Sequence, residues 1–236
     1  MRIPWRSARL LKREKQTATA RSLVFDVPGW PGHMVGQHVD VRLTAEDGYQ
    51  AVRSYSLATP VDGNRIELGV QPVPGGEVSP YLAHDLPVGA SAEVRGPLGN
   101  WFIWRPEQTE PVLLLAGGSG VVPLMAMIRA HRQVASASPF HLLYSVRGPQ
   151  DLWYQNDLEG QDSTLDVRLL YTRQAPSGTV RAPSRLKAAD LGPMVGRLAS
   201  DSTVYVCGPT GFVESASDLL INAGQDPATI RTERFG

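Results

Sequence analysis

A single cysteine, Cys207, is the only thiol in the chain. It has no second thiol for an internal disulfide, and it cannot hold an iron–sulfur cluster, which takes about four thiolates. An excess of charge is also missing: 23 Lys and Arg balance 23 Asp and Glu. A general nucleic-acid binder would carry a basic surplus, so that class falls away. The five histidines (His33, His38, His84, His131 and His141) are scattered without metal-ligand spacing and read as structural or surface residues. The expectation is a cytoplasmic protein that needs no metal. The N-terminus is basic, with Arg2, Arg6, Arg9, Lys12, Arg13, Lys15 and Arg21 against Glu14 alone. No apolar segment follows it, so it is not a secretory signal. Those cations read as the solvated face of a hairpin, with a docking patch for an acidic partner as the alternative.

Long apolar runs are nearly absent. Residues 111–128 carry no charge, and their length just reaches what a bilayer requires. Their middle, however, reads Gly117-Gly118-Ser119-Gly120 and then Pro123, which is a turn opening a helix. No membrane span is expected.

What is present divides in two. The 236 residues suit one large or two small domains. Up to about Trp104 the chain reads as β structure. Residues 38–43 and 65–70 alternate as half-buried strands do, 23–27 and 92–95 add short strands, and Asp47-Gly48 is a hairpin signal. Such spacing indicates a barrel or sandwich. From Pro111 the pattern changes. Residues 112–116 form a continuous apolar strand of the kind buried on both faces of a parallel sheet. Helices are expected over 124–132, near 151–158 and over 213–223, the last stopped by Gly224. Strands are expected at 141–144, 166–171 and 203–206. The expectation is therefore a two-domain protein: an antiparallel β-barrel over residues 1–106, then an α/β domain with a parallel sheet over 110–236.

Five stretches carry chemistry. Arg53-Ser54-Tyr55-Ser56 offers a cation, a flat ring and two hydroxyls on a short strand. In Gly75-Gly76-Glu77-Val78-Ser79-Pro80, Ser79 reads as a helix N-cap with Pro80 in the first turn. Backbone N–H groups there suit an anion, although a plain capped helix accounts for the residues as well. Gly117-Gly118-Ser119-Gly120 lies between a strand and a helix, the context of a dinucleotide pyrophosphate site, with Pro123 where a third glycine would stand. Cys207-Gly208-Pro209 leaves another parallel strand, so both turns should face one crevice at the strands' carboxyl ends. At a third such end, Ser145 and Arg147, with Arg173 after the next strand, suit the 2′-phosphate of NADPH. Solvated surface arginines are the equal alternative, and Asp151 keeps NADH open.

Taken with Gly96-Pro97-x-Gly99 and the tail Glu233-Arg234-Phe235-Gly236, these stretches resemble the ferredoxin–NADP reductase superfamily over essentially the whole chain. The resemblance is to its stand-alone bacterial members without an iron–sulfur domain. It implies a flavoprotein oxidoreductase that takes hydride from NAD(P)H, NADPH slightly favoured, onto FAD and passes electrons to an acceptor protein. The acceptor would be a ferredoxin, an oxygenase or a molybdenum-cofactor oxidoreductase. A free-flavin or quinone reductase and a non-catalytic binding module are the alternatives.

Carried onto these positions, the family pattern has Arg53 pair with the flavin pyrophosphate, Tyr55 stack on the ring and Ser56 bond near its N5. Gly75, Gly76, Val78 and Ser79 would hold the pyrophosphate. Gly118, Ser119 and Gly120 would bind that of the nucleotide. Cys207, Gly208 and Pro209 would lie beside the nicotinamide, and Phe235 would cover the flavin. Many members carry a basic residue after the strand ending at Val70. Here Gln71-Pro72 follows, which leaves FMN open beside FAD.

Overall fold

The computed structural model describes residues 3–159, 164–195 and 202–235. The chain divides into two compact units, residues 1–105 with 125–130, and residues 106–124 with 131–236.

The first unit is an antiparallel sheet of six strands: β1 (Trp5–Lys15), β2 (Arg21–Asp26), β3 (His38–Thr44), β4 (Gln50–Ser56), β5 (Arg65–Val70) and β6 (Ser91–Leu98), in the order β4-β3-β6-β1-β2-β5. An antiparallel bridge between Leu57 and Leu68 joins the edge strands β4 and β5 and closes the sheet. The period-2 pattern explains the core. In β5 Ile66, Leu68 and Val70 point inward, and they meet Leu10, Leu23, Phe25, Val39, Val41 and Val94. The basic N-terminus forms the β1–β2 hairpin: Ala8 and Leu10 are buried, while Arg9 and Lys12 stay in solvent.

After β5 comes a short α-helix, α1 (Val78–Pro80), which runs into a five-residue π turn, Tyr81–Asp85. Its final carbonyls are satisfied from β1, where the Arg13 guanidinium donates to Leu82 and Leu86.

The second unit is a five-stranded parallel sheet. Its strands are β7 (Val112–Gly117), β8 (Phe140–Val146), β9 (Leu165–Tyr171), β10 (Thr203–Pro209) and β11 (Ile230–Phe235), in the order β11-β10-β7-β8-β9. Every residue of β7 is buried, as a central parallel strand demands. The helices are α2 (Val121–Gln133), α3 (Gln155–Leu158), α4 (Ala188–Val195) and α5 (Thr210–Asn222). Gly224 ends α5 at φ +94°, with its N–H on the Ile221 carbonyl.

One expected helix is corrected, and two further elements were not read from the sequence. The helix expected near 151–158 is broken into a 3₁₀ turn, Pro149–Asp151, and the four residues of α3, with Tyr154 between them at φ +55°. α4 carried no signal that set it apart. The tail is a strand, and Phe235 is its last residue, in register with Pro209. Among the described residues no helix is long and apolar enough to cross a membrane.

Candidate functional site

In the first unit the site grows from β4. Ser54 points to one side, where its hydroxyl donates to Asp40 at 2.7 Å. Burial opposes the Asp40 charge, but hydrogen bonds from Arg95, at 2.6 Å, and Ser54 outweigh it and hold the carboxyl below its ordinary value. Alternation puts Arg53 and Tyr55 on the other side. Arg53 is exposed. Its guanidinium donates to the Val52 carbonyl at 2.7 Å and, among the described residues, pairs with no carboxylate. That is the state of a cation available to an anionic ligand. Tyr55 is half-buried and its hydroxyl bonds to Ser79. Burial pushes its pKa up to about 12, against the pull of Ser79 and of the Arg53 charge, so the phenol stays neutral. Ser56, half-buried, ends the strand opposite His38.

Ser79 is not the helix cap that its Ser-Pro context suggests. It lies inside α1, behind Glu77 at the cap position. Its buried Oγ accepts from the Val73 N–H at 3.0 Å, so the hydroxyl braces the preceding loop and Tyr55. Three residues of α1 carry almost no dipole, so the turn itself must supply any anion contact. Gly76 N–H closes that turn on the Val73 carbonyl at 2.9 Å, with Pro74 second and Gly75 third at φ +73°, the pattern of a type II turn. A Cβ at Gly76 would lie 3.0 Å from the Val73 carbonyl oxygen. Val78 is buried in the core, leaving only its backbone for a ligand. Glu77 turns outward and accepts from the Tyr49 hydroxyl at 3.1 Å. An uncommitted arginine beside a glycine turn and a neutral ring fit a diphosphate joined to a flat heterocycle.

In the second unit the turn after β7 is a 3₁₀ turn, Gly118–Gly120, leading directly into α2. Gly118 stands at φ +55° in open space. Gly120 is there for a different reason: a Cβ would meet the Cys207 carbonyl oxygen at 2.1 Å and the Gly208 nitrogen at 2.7 Å. The two glycine turns therefore abut at the carboxyl ends of β7 and β10. Cys207 is buried. Burial first, and then the Glu233 charge, push its thiol well above its usual range, so it is an uncharged neighbour and no nucleophile. Ser145, also buried, pairs across the ladder with Gly117. Arg147 and Arg173 follow β8 and β9, are both exposed, and are tied through Arg173 N–H to the Arg147 carbonyl at 2.9 Å. Phe235 is 40% exposed beside Pro209.

Two residues had no role assigned from the sequence. The Phe212 ring covers both Gly117 and Gly208, where added Cβ atoms would approach it to 2.7 and 2.8 Å. Paired glycines ahead of a lone aromatic were the available signal. Glu233 lies opposite Cys207 in the β10–β11 ladder, and burial raises its pKa to about 7. Nothing local in the sequence marks it.

Comparison with known proteins agrees with this layout. The oxidoreductase FAD-binding domain model matches residues 7–103, and the oxidoreductase NAD-binding domain model matches residues 114–218. The chain is 31% identical, over 85% of its length, to the ferredoxin–NAD(P)+ reductase component of the naphthalene 1,2-dioxygenase/salicylate 5-hydroxylase systems of a Ralstonia species. It is 30% identical, over 98% of its length, to the glycine betaine monooxygenase reductase subunit of Chromohalobacter salexigens. It spans only 60% and 64% of those two relatives. In fold it superposes on the FAD/NAD-binding domain of nitric oxide dioxygenase from Vibrio cholerae with a TM-score of 0.84 at 22% identity, covering 98% of both chains. Two domain models in series, the six- and five-stranded sheets and these relatives together show that the chain belongs to the ferredoxin–NADP reductase superfamily.

Proposed function

We propose that the protein is an FAD-dependent NAD(P)H oxidoreductase that passes electrons to a partner protein. The observation that carries this reading is the pair of half-sites. One is a diphosphate cradle with an aromatic ring, Arg53, Tyr55 and the Gly75–Ser79 turn. The other is a pair of abutting glycine turns at the carboxyl ends of a parallel sheet. FAD, when bound, accepts a hydride from a nicotinamide and gives its electrons up singly. The chain's own residues have the task of placement. Arg53 and the Gly76 turn hold the phosphates, the neutral Tyr55 offers its face, and Ser56 presents a hydroxyl for a ring nitrogen. Cys207 and the Gly118–Gly120 turn shape an uncharged bed for the nicotinamide. Ser145, Arg147 and Arg173 support a modest preference for NADPH.

Relatives that are reductase components of dioxygenase and monooxygenase systems support an oxygenase or a ferredoxin as the acceptor. The test is anaerobic stopped-flow reduction of the purified protein by NADH and by NADPH, with the released flavin identified. Bleaching of bound FAD at a rate that saturates with nucleotide is expected. A colourless protein that takes up neither FAD nor FMN would overturn the reading.

A further inference from the structure

Ser56 is the last residue of β4, an outermost strand of the sheet order. Among the described residues a single bridge, Leu57–Leu68, joins this strand end to β5, with the Ala58 N–H on the Glu67 backbone carbonyl at 2.8 Å. A side chain reinforces that bridge. The Arg129 guanidinium donates to the Ala58 carbonyl at 3.0 Å, and the same Nη1 meets the Glu67 carboxylate at 3.1 Å. Through its other oxygen Glu67 accepts from the Ser22 hydroxyl of β2. Arg129 lies on α2, whose residues 125–130 belong to the first unit. Alternation along β5 turns Glu67 away from the core side chains Ile66 and Leu68. Even so, the pair is covered, with Arg129 only 20% and Glu67 only 13% exposed. Salt screens such a pair far less than an exposed one, and removing one partner strands the other charge. Ser22, Ala58, Glu67 and Arg129 belong to neither half-site.

We propose that Arg129, oriented by Glu67, is a positioning residue for flavin reduction: through Ala58 it fixes the end of β4 and with it the aim of the Ser56 hydroxyl. The assignment rests on the flavoprotein reading above and deepens it by naming what holds Ser56. A polar group aimed at developing charge is effective only if it is already in place before the reaction, and an error of about 1 Å in placement costs up to ~100-fold in rate. The end of an outermost strand is the part of a sheet least able to hold such a group by its ladder alone. Here Ala58, two residues past Ser56, has both of its backbone groups tied to Glu67. Its N–H meets the Glu67 carbonyl directly, and its carbonyl meets the guanidinium that the Glu67 carboxylate orients. Ser22 then steadies that carboxylate from the next strand.

The test measures the limiting rate of flavin reduction at saturating nucleotide, alongside FAD affinity, in the full chain. Arg129→Ala should slow reduction roughly 3- to 10-fold while FAD affinity stays the same. In a Ser56→Ala background the same change should cost less than about 2-fold, because the two residues act as one unit. Arg129→Lys, whose single ammonium can serve both acceptors, should recover most of the rate. Glu67→Gln keeps the shape and the Ser22 bond but loses the charge. It should give a smaller loss with the same non-additivity, and it carries the test if Arg129→Ala does not fold. Losses that multiply in the double variant would overturn the assignment. So would a wild-type rate in Arg129→Ala, or a loss of FAD affinity as large as the loss of rate. Unchanged reduction in Ser56→Ala alone would remove the group being positioned, and the assignment with it. A wild type that takes up neither FAD nor FMN would instead overturn the flavoprotein reading on which the assignment rests.

Discussion

Gly120 lies flat against the peptide that joins Cys207 to Gly208: a Cβ on Gly120 would stand 2.1 Å from the Cys207 carbonyl oxygen. Both partners are backbone, so neither can rotate away. Gly120→Ala must push the turn off β10. We expect a stability loss of about 1–3 kcal/mol and a large loss of NAD(P)H affinity, with FAD content unchanged. Gly118→Ala meets only the strain of its φ of +55° in open space, about 1 kcal/mol. Thermal denaturation and nucleotide titration of the two variants test the contrast. Equal behaviour would mean that the turns do not abut.

Arg147 and Arg173 sit on adjacent strand ends, joined through backbone and exposed to solvent. If they recognise a 2′-phosphate, Arg147→Ala should raise the KM for NADPH by about 10-fold, the scale of one charge-assisted hydrogen bond. The KM for NADH should stay within about 2-fold. Steady-state kinetics with both nucleotides decides. Equal losses would make the pair ordinary surface arginines.

Much of the scaffold was legible because its signals are local. The strict alternation of 38–43 and 65–70 and the unbroken apolar run of 112–116 are the patterns of β3, β5 and β7. The glycine turns were legible for a related reason, since backbone geometry restricts which residues fit. What escaped depends on distant partners. In β11 only Ile230 is buried, and Arg231, Glu233 and Arg234 hide the strand, which exists because its ladder with β10 holds it. Ser79 reads as a cap because Ser-Pro before an apolar pair usually is one. Here Val73 and Tyr55, six and 24 positions away, claim its hydroxyl. Glu233 is half-buried in that same β10–β11 ladder, where it stands opposite Cys207.

The two serines of the first unit should separate binding from turnover. Ser79→Ala leaves the Val73 N–H without its acceptor and Tyr55 without its brace. A loss of about 1–2 kcal/mol of stability and weaker flavin binding are expected. Ser56 ends β4 and, among the described residues, its hydroxyl braces no loop, so Ser56→Ala should leave flavin binding and melting temperature unchanged while slowing flavin reduction at least 10-fold, the lower end of what a polar group gives when aimed at developing charge. Stopped-flow traces and flavin titrations measure both. Unchanged reduction in Ser56→Ala would remove its role.

Glu233 makes stability depend on pH in the direction opposite to an ordinary carboxylate. Burial lifts its folded-state pKa from 4.5 to about 7, so the fold favours the protonated acid. Below pH 4.5 the group is neutral in both states and costs nothing. Between 4.5 and about 7 the unfolded chain releases its proton first, and stability falls as pH rises. Above about 7 the penalty is constant. Glu233→Gln removes the titration while keeping the shape. It should match the wild type at pH 4 and exceed it at pH 8 by roughly 2–3 kcal/mol at most. The Cys207 thiol, whose pKa the Glu233 charge helps to raise, should then titrate lower in the variant. Melting temperatures across pH 4–8 and the pH dependence of thiol alkylation test the two consequences separately. A melting difference that grows toward acid pH would reverse the sign and place Glu233 in a stabilising ionic contact instead.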